Sequence, residues 1–192
     1  MHKNRLEAFS DGVLAIIITI MVLELKAPQT AEWTALGELL PTFLSYVLSF
    51  CYVGIYWNNH HHLFQASSRV SGSVLWANLN LLFWLSLFPF CSAWMGHHYK
   101  EAAPTATYGL VLLLAAFAYH VLQRTIVAQH KKTESRLAAA LGKDWKGKLS
   151  PAVYLAAIPL AFVHPYISDA LYLGVALLWI VPDRRIERTF DE

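Results

Sequence analysis

Arg5-Leu6-Glu7-Ala8-Phe9-Ser10-Asp11, running without a break into Gly12-Val13-Leu14-Ala15-Ile16-Ile17-Ile18-Thr19-Ile20-Met21-Val22-Leu23, is the stretch on which the reading of this chain turns. The apolar run from Gly12 to Leu23 covers twelve residues. A bilayer core takes roughly 20 helical residues, so a spanning helix must draw Phe9, Ser10 and Asp11 into or beside the hydrocarbon. An ionisable group at that depth is costly and calls for a polar partner. At helical spacing Ile16, Ile20 and Leu23 share one face (i, i+4, i+7), with Thr19 beside them and Gly12 one turn earlier. This is a candidate lining face, although the same stripe serves equally as a lipid-facing or bundle-core surface. The charged start (His2, Lys3, Arg5) followed by a short apolar core also has the outline of a cleaved signal peptide. Against that, Glu7, Ser10 and Asp11 interrupt the run, and Glu24-Leu25-Lys26-Ala27-Pro28 offers no small-residue cleavage site.

The composition places the remainder in the membrane class. The 192 residues are 56% hydrophobic and 15% charged, with a mean hydropathy of +0.40. Soluble domains average about 45–50% apolar and 25% charged. The length fits one domain, residues 1–192. A formal net charge of +2 is too small to argue for a nucleic-acid partner. Cys51 and Cys91 both fall inside apolar segments, where burial as small hydrophobes is the default and a disulfide framework is not expected.

Beyond the first span, placed at 6–25, Pro28 to Leu40 reads as a polar connection, and Pro41 as the opening of a second span, 42–63, at a position where its missing amide proton costs nothing. That span ends in Tyr56-Trp57-Asn58-Asn59-His60-His61-His62, a run suited to an interface or a polar partner. A third span, 74–95, carries Asn78, Asn80 and Ser86 in an otherwise apolar segment, and a fourth covers 105–127. Ala128 to Ser150 is the polar hinge, within which Glu134 to Leu141 suggests a short surface helix. Pro151 to Val181 as one straight helix would rise roughly 46 Å, well beyond the ~30 Å hydrocarbon core. Interrupted by His164-Pro165 and Asp169, it reads instead as two short spans, 151–164 and 167–182, which imply local thinning or shielding by neighbours.

Charge distribution tests the even count. With six spans, one side receives every one of the 15 Lys and Arg except Lys26 and Lys100. The positive-inside rule then puts both termini in the cytoplasm of a multi-pass protein of the plasma (inner) membrane. Five spans would leave Arg184, Arg185 and Arg188 on the wrong side.

Several constellations suggest chemistry. Tyr52-Val53-Gly54-Ile55-Tyr56 resembles a carbonyl potassium filter only faintly, since it lies mid-helix, lacks a second glycine and follows no re-entrant segment. His60-His61-His62 and His97-His98 raise a histidine-ligated membrane metalloenzyme. Helical metal pairs want i, i+3 or i, i+4 spacing, however, whereas consecutive histidines point around the helix and no carboxylate lies beside them. The favoured role for one of His60, His61 and His62 is pairing with Ser10 or Asp11. No phosphate loop, no nucleophile with a base and no metal site emerges, so neither an enzyme nor a cofactor is expected. A transporter would show inverted repeats with matched broken helices, and the one proline-broken stretch lies at one end.

Arg-x-x-x-Phe-Ser-Asp at the start of an apolar first helix resembles the FSD-motif potassium channels, bacterial relatives of the lysosomal and endosomal potassium channel of animals. Arg5, Phe9, Ser10 and Asp11 match the motif, and the six-span layout extends the resemblance over nearly the whole chain. The resemblance implies an all-α homotetramer with the first helix of each subunit lining a central pore. It further implies that Ile16, Ile20 and Leu23 form the constriction, with Thr19 as a polar neighbour, and that Arg5, Phe9, Ser10 and Asp11 hold the helix. The expected function is a potassium-permeable channel with a hydrophobic constriction in place of a carbonyl filter, working with potassium ions and membrane lipid. A proton-permeable or weakly selective cation channel is the alternative within the class.

Overall fold

Helices account for nearly all of the described chain because, in an apolar surrounding, each backbone amide and carbonyl must find its partner within its own segment. The computed structural model describes residues 3–65, 70–129 and 145–180. Among these, the elements are α1 (Lys3–Leu23), α2 (Thr34–Gln65), α3 (Gly72–Leu85), α4 (Phe88–His97), α5 (Ala102–Gln129), α6 (Trp145–Ala161) and α7 (Pro165–Ile180). No strand occurs among the described residues.

Two prolines set boundaries differently from the sequence expectation. Helix α2 begins at Thr34, so Pro41 lies inside it rather than at its start. The proline removes one backbone bond, to Gly37, and the Pro41 carbonyl takes up the Ser45 hydroxyl at 3.0 Å. The group freed by this loss is the Gly37 carbonyl, and the helix carries on through Thr42, where α4 packs against its backbone. The expected third span is, by contrast, broken into α3 and α4. Pro89 falls in the first turn of α4 and cannot donate to Leu85, so the helix stops, turns at Ser86 and Leu87, and restarts. Ser71 caps the start of α3, its hydroxyl accepting from the Val74 amide at 3.4 Å.

Four units are long and apolar enough to cross a bilayer: α1, α2, the α3–α4 rod of 26 residues, and α5. Helices α6 and α7 have 17 and 16 residues, rising about 24–26 Å. Helix α6 starts six residues before the expected 151, placing Lys146 and Lys148 in a helix rather than in the polar hinge. Lys146 is buried, and its Nζ donates to the Leu178 carbonyl at 3.0 Å near the C-terminus of α7, where the helix dipole favours a cation. The expected helix at 134–141 and the terminal arginines lie outside the described residues.

Helix α5 packs against α3 and α6, α6 against α7, and α2 against α4, while α1 lies on α2, α3 and α4. Small residues allow these approaches, as expected where lipid supplies no hydrophobic drive between helices. Ala115, Ala118, Ala157, Ala161 and Ala176 are buried. A Cβ on Gly96 would stand 2.6 Å from the Thr42 Cα, so α2 and α4 meet backbone to backbone. The core on the α5–α7 side is an aromatic cluster that satisfies its own hydroxyls. Tyr52 donates to the Tyr172 carbonyl at 2.7 Å, Tyr154 to the Tyr52 hydroxyl at 3.2 Å and Tyr172 to the Thr105 carbonyl at 3.2 Å. The Tyr108 hydroxyl pairs with that of Ser49 at 2.9 Å.

Candidate functional site

Helix α1 divides into two stripes. Leu6, Ser10, Leu14, Ile17 and Met21 are buried against the rest of the subunit. One residue earlier in register, Arg5, Phe9, Gly12, Ile16, Thr19, Ile20 and Leu23 face outward. The fractional exposures of Ile16, Ile20 and Leu23 are 58%, 44% and 74%. The subunit leaves these aliphatic side chains largely uncovered, although Ile20 also borders α4 at Pro89 and Phe90. Thr19 donates its hydroxyl proton to the Ile16 carbonyl at 2.8 Å, which leaves the oxygen lone pairs directed away from the backbone.

Successive motif residues turn about 100° around the helix, so Phe9, Ser10 and Asp11 point three ways. Ser10 is completely buried and donates to the Leu6 carbonyl at 2.9 Å. Its oxygen accepts from Asn78 Nδ2 at 3.0 Å, and Asn78 Oδ1 lies 2.8 Å from His60 Nε2. With the amide nitrogen committed to Ser10, the Asn78 oxygen accepts from His60, placing the imidazole proton on Nε2. The pairing expected directly between a histidine and Ser10 therefore runs through Asn78, which is itself fully buried. In the sequence Asn78 stands only as a polar interruption of an apolar segment. An amide in an apolar segment is nonetheless the kind of group that joins helices across a membrane.

Asp11 is exposed in the subunit, contrary to the burial inferred from the short apolar run. Residue 11 turns away from the core stripe that residue 10 occupies. Its Oδ1 accepts from Trp57 Nε1 at 3.0 Å, Trp57 stacks on His61 with centroids 6.3 Å apart, and His61 is bonded to Gln65 at 2.8 Å. The partner of Asp11 is thus an indole, not a histidine. His62 is half-buried, with its ring 5.7 Å from that of His61, so the three consecutive histidines follow three directions. Arg5 is exposed on the outward stripe, one turn before Phe9. No group of three His, Cys, Asp or Glu side chains gathers among the described residues. The stretch Tyr52 to Tyr56 is ordinary α2 backbone with Val53 fully buried, so its carbonyls are engaged in the helix.

The family model described as endosomal/lysosomal potassium channel TMEM175 matches residues 5–89, which hold α1 and both polar chains just described. A potassium channel of Chryseobacterium sp. (strain P1-3) is 52% identical over 192 residues, covering 100% of both chains. The chain belongs to the TMEM175 family. A potassium channel of Streptomyces collinus is 36% identical over 188 residues, covering 93% of this chain and 91% of its own. The crystal structure of a lysosomal potassium-selective channel TMEM175 homolog from Chamaesiphon minutus matches with a TM-score of 0.80 at 26% identity, covering 93% of this chain and 96% of that one. TMEM175 proteins are channels, and membership sets aside the metalloenzyme reading of the histidines.

Proposed function

We propose that four copies of this chain enclose a potassium-permeable pore lined by α1, with Ile16, Ile20 and Leu23 as its constriction and Thr19 as a polar ring between them. One observation carries this reading: α1 buries one stripe within its subunit and leaves a second, aliphatic stripe largely exposed. A fourfold arrangement of such helices gives each stripe a place and encloses a path. The names of the bacterial relatives support potassium as the permeant ion, and the membrane lipid is the surrounding medium.

The mechanism follows from the side chains. Rings of sec-butyl and isobutyl groups offer nothing to replace an ion's hydration shell, so a narrow closed pore dewets. When it widens, the ion that sheds water more cheaply crosses more readily, which favours potassium over sodium. Oxygen lone pairs at Thr19 provide partial compensation. Ser10 positions α1 through Asn78 and His60 on the buried side and Asp11 through Trp57, His61 and Gln65 outside, while Arg5 and Phe9 hold the helix from its outward stripe. In this reading α6 and α7 complete six spans, with His62 near the inner end of α2, and both termini lie in the cytoplasm of the plasma (inner) membrane. The distribution of Lys and Arg supports that orientation.

Potassium-gradient flux in reconstituted vesicles tests the proposal. Ile16→Asn places amides in the constriction and should raise flux several-fold while lowering potassium-over-sodium discrimination. A pH-sensitive dye in the same vesicles separates potassium from proton permeation. Unchanged flux and selectivity in correctly assembled Ile16→Asn would remove Ile16 from the pore.

A further inference from the structure

Helix α7 carries a carboxylate that the channel reading does not use. Asp169 lies about one turn inside the N-terminus of α7, and its Oδ1 is buried with no hydrogen-bond partner among the described residues. It lines a groove of about 600 Å³ between α2 and α7, which Met95 of α4 and Tyr99 just beyond it also line. Leu44, Leu48, Leu173 and Leu177 form the walls. Tyr166, one turn before Asp169, pairs with Tyr99 at a centroid distance of 6.5 Å, and both line the same groove. Lys100, the next residue, holds its Nζ 5.3 Å from the Tyr99 ring centroid.

An uncompensated carboxylate facing an apolar groove is costly at membrane depth. Charge complementarity asks for a cation that donates hydrogen bonds, and the walls ask for an alkyl chain. From Asp169 to Ile180 the groove follows α7 for about 16 Å, close to the depth of one leaflet of a ~30 Å hydrocarbon core. The two tyrosines mark the headgroup level, where such rings concentrate.

We propose that this groove holds a bilayer lipid with a primary-amine headgroup. The ammonium donates to Asp169, Lys100 faces the headgroup phosphate, and one acyl chain runs between α2 and α7.

The full chain, reconstituted into phosphatidylcholine vesicles, tests this with a trace of phosphatidylethanolamine bearing a photoreactive acyl chain. Phosphatidylglycerol with the same chain is the matched probe, and labelled peptides are located by mass spectrometry. The amine lipid should label α2 and α7 about tenfold more than phosphatidylglycerol, the scale of one charge-assisted hydrogen bond. In Asp169→Asn the preference should vanish, and in Asp169→Glu it should return. Equal labelling of the wild-type chain by both lipids overturns the proposal even if the variants do not fold. Carbodiimide cross-linking of Asp169 to a lysine of a neighbouring subunit also overturns it, because the groove would then be filled by a second copy.

Discussion

Ile16 and Ile17 are adjacent and chemically identical, yet one is 58% exposed and the other 3%. The stripe containing Ile17 is buried against α2, α3 and α4, whereas the stripe containing Ile16 is largely uncovered within the subunit, with only Ile20 bordering α4. In a soluble protein the outward face would be polar and the two would be distinguishable by pattern. In a membrane protein lipid, a neighbouring subunit and a pore all accept aliphatic surface, so hydropathy carries no direction. The marks that do separate the stripes are polar ones: Ser10 lies on the inner stripe with Asn78 and His60, and Thr19 on the outer.

The sharpest way to break this comparison is the pair Ile17→Asn and Ile16→Asn. At position 17 an amide enters a packed site without a partner, and the subunit should lose about 3–5 kcal/mol, read as loss of monodisperse protein and of thermal stability in detergent. At position 16 the subunit itself should change by less than about 0.5 kcal/mol. Equal losses would show that the two stripes are not distinct. Asn78→Leu should come next, at about 2–3 kcal/mol, because it leaves the His60 imidazole proton without an acceptor and the Ser10 oxygen without its donor. Ser10→Ala should cost less, and a double-mutant cycle between positions 10 and 60 should show coupling only while Asn78 is present.

Asp11→Ala is expected to be milder still for the subunit, about 1 kcal/mol, since the Trp57–Asp11 bond is solvent- or lipid-side rather than buried. A much larger loss, confined to the assembled form on size-exclusion chromatography, would show that a neighbouring copy buries the carboxylate. Thr19→Val should have the smallest effect on stability, within about 0.5 kcal/mol, because its hydroxyl bonds only its own helix. Its effect should appear in ion flux alone, as a reduced advantage of potassium over sodium.

Much of the architecture was legible. The all-helical course of the described segments follows from apolar run length, as in α5 (Ala102–Gln129) and α7 (Pro165–Ile180). Pro89 could have signalled the break between α3 and α4 but was read through, because a 22-residue apolar run looks continuous by composition. Pro41 acts in the opposite sense: the helix runs through it, since packing against α4 outweighs one missing amide. Of the motif, Ser10 needed a partner and has one, while Asp11 looked buried only because run length does not specify azimuth.

Sequence alone determined the chemistry: an all-helical membrane chain, a first helix whose short apolar run is preceded by Arg5, Phe9, Ser10 and Asp11, and polar side chains that must find one another in an apolar medium. Those facts depend on run length and residue type, which transfer cost makes decisive. Tertiary structure decided which atoms meet. It set Asn78 between Ser10 and His60, gave Asp11 to Trp57, left Ile16, Ile20 and Leu23 exposed and stranded Asp169 in a groove. The reason is geometric: each residue turns a helix by about 100°, and only packing against α2, α3 and α4 fixes where that rotation begins.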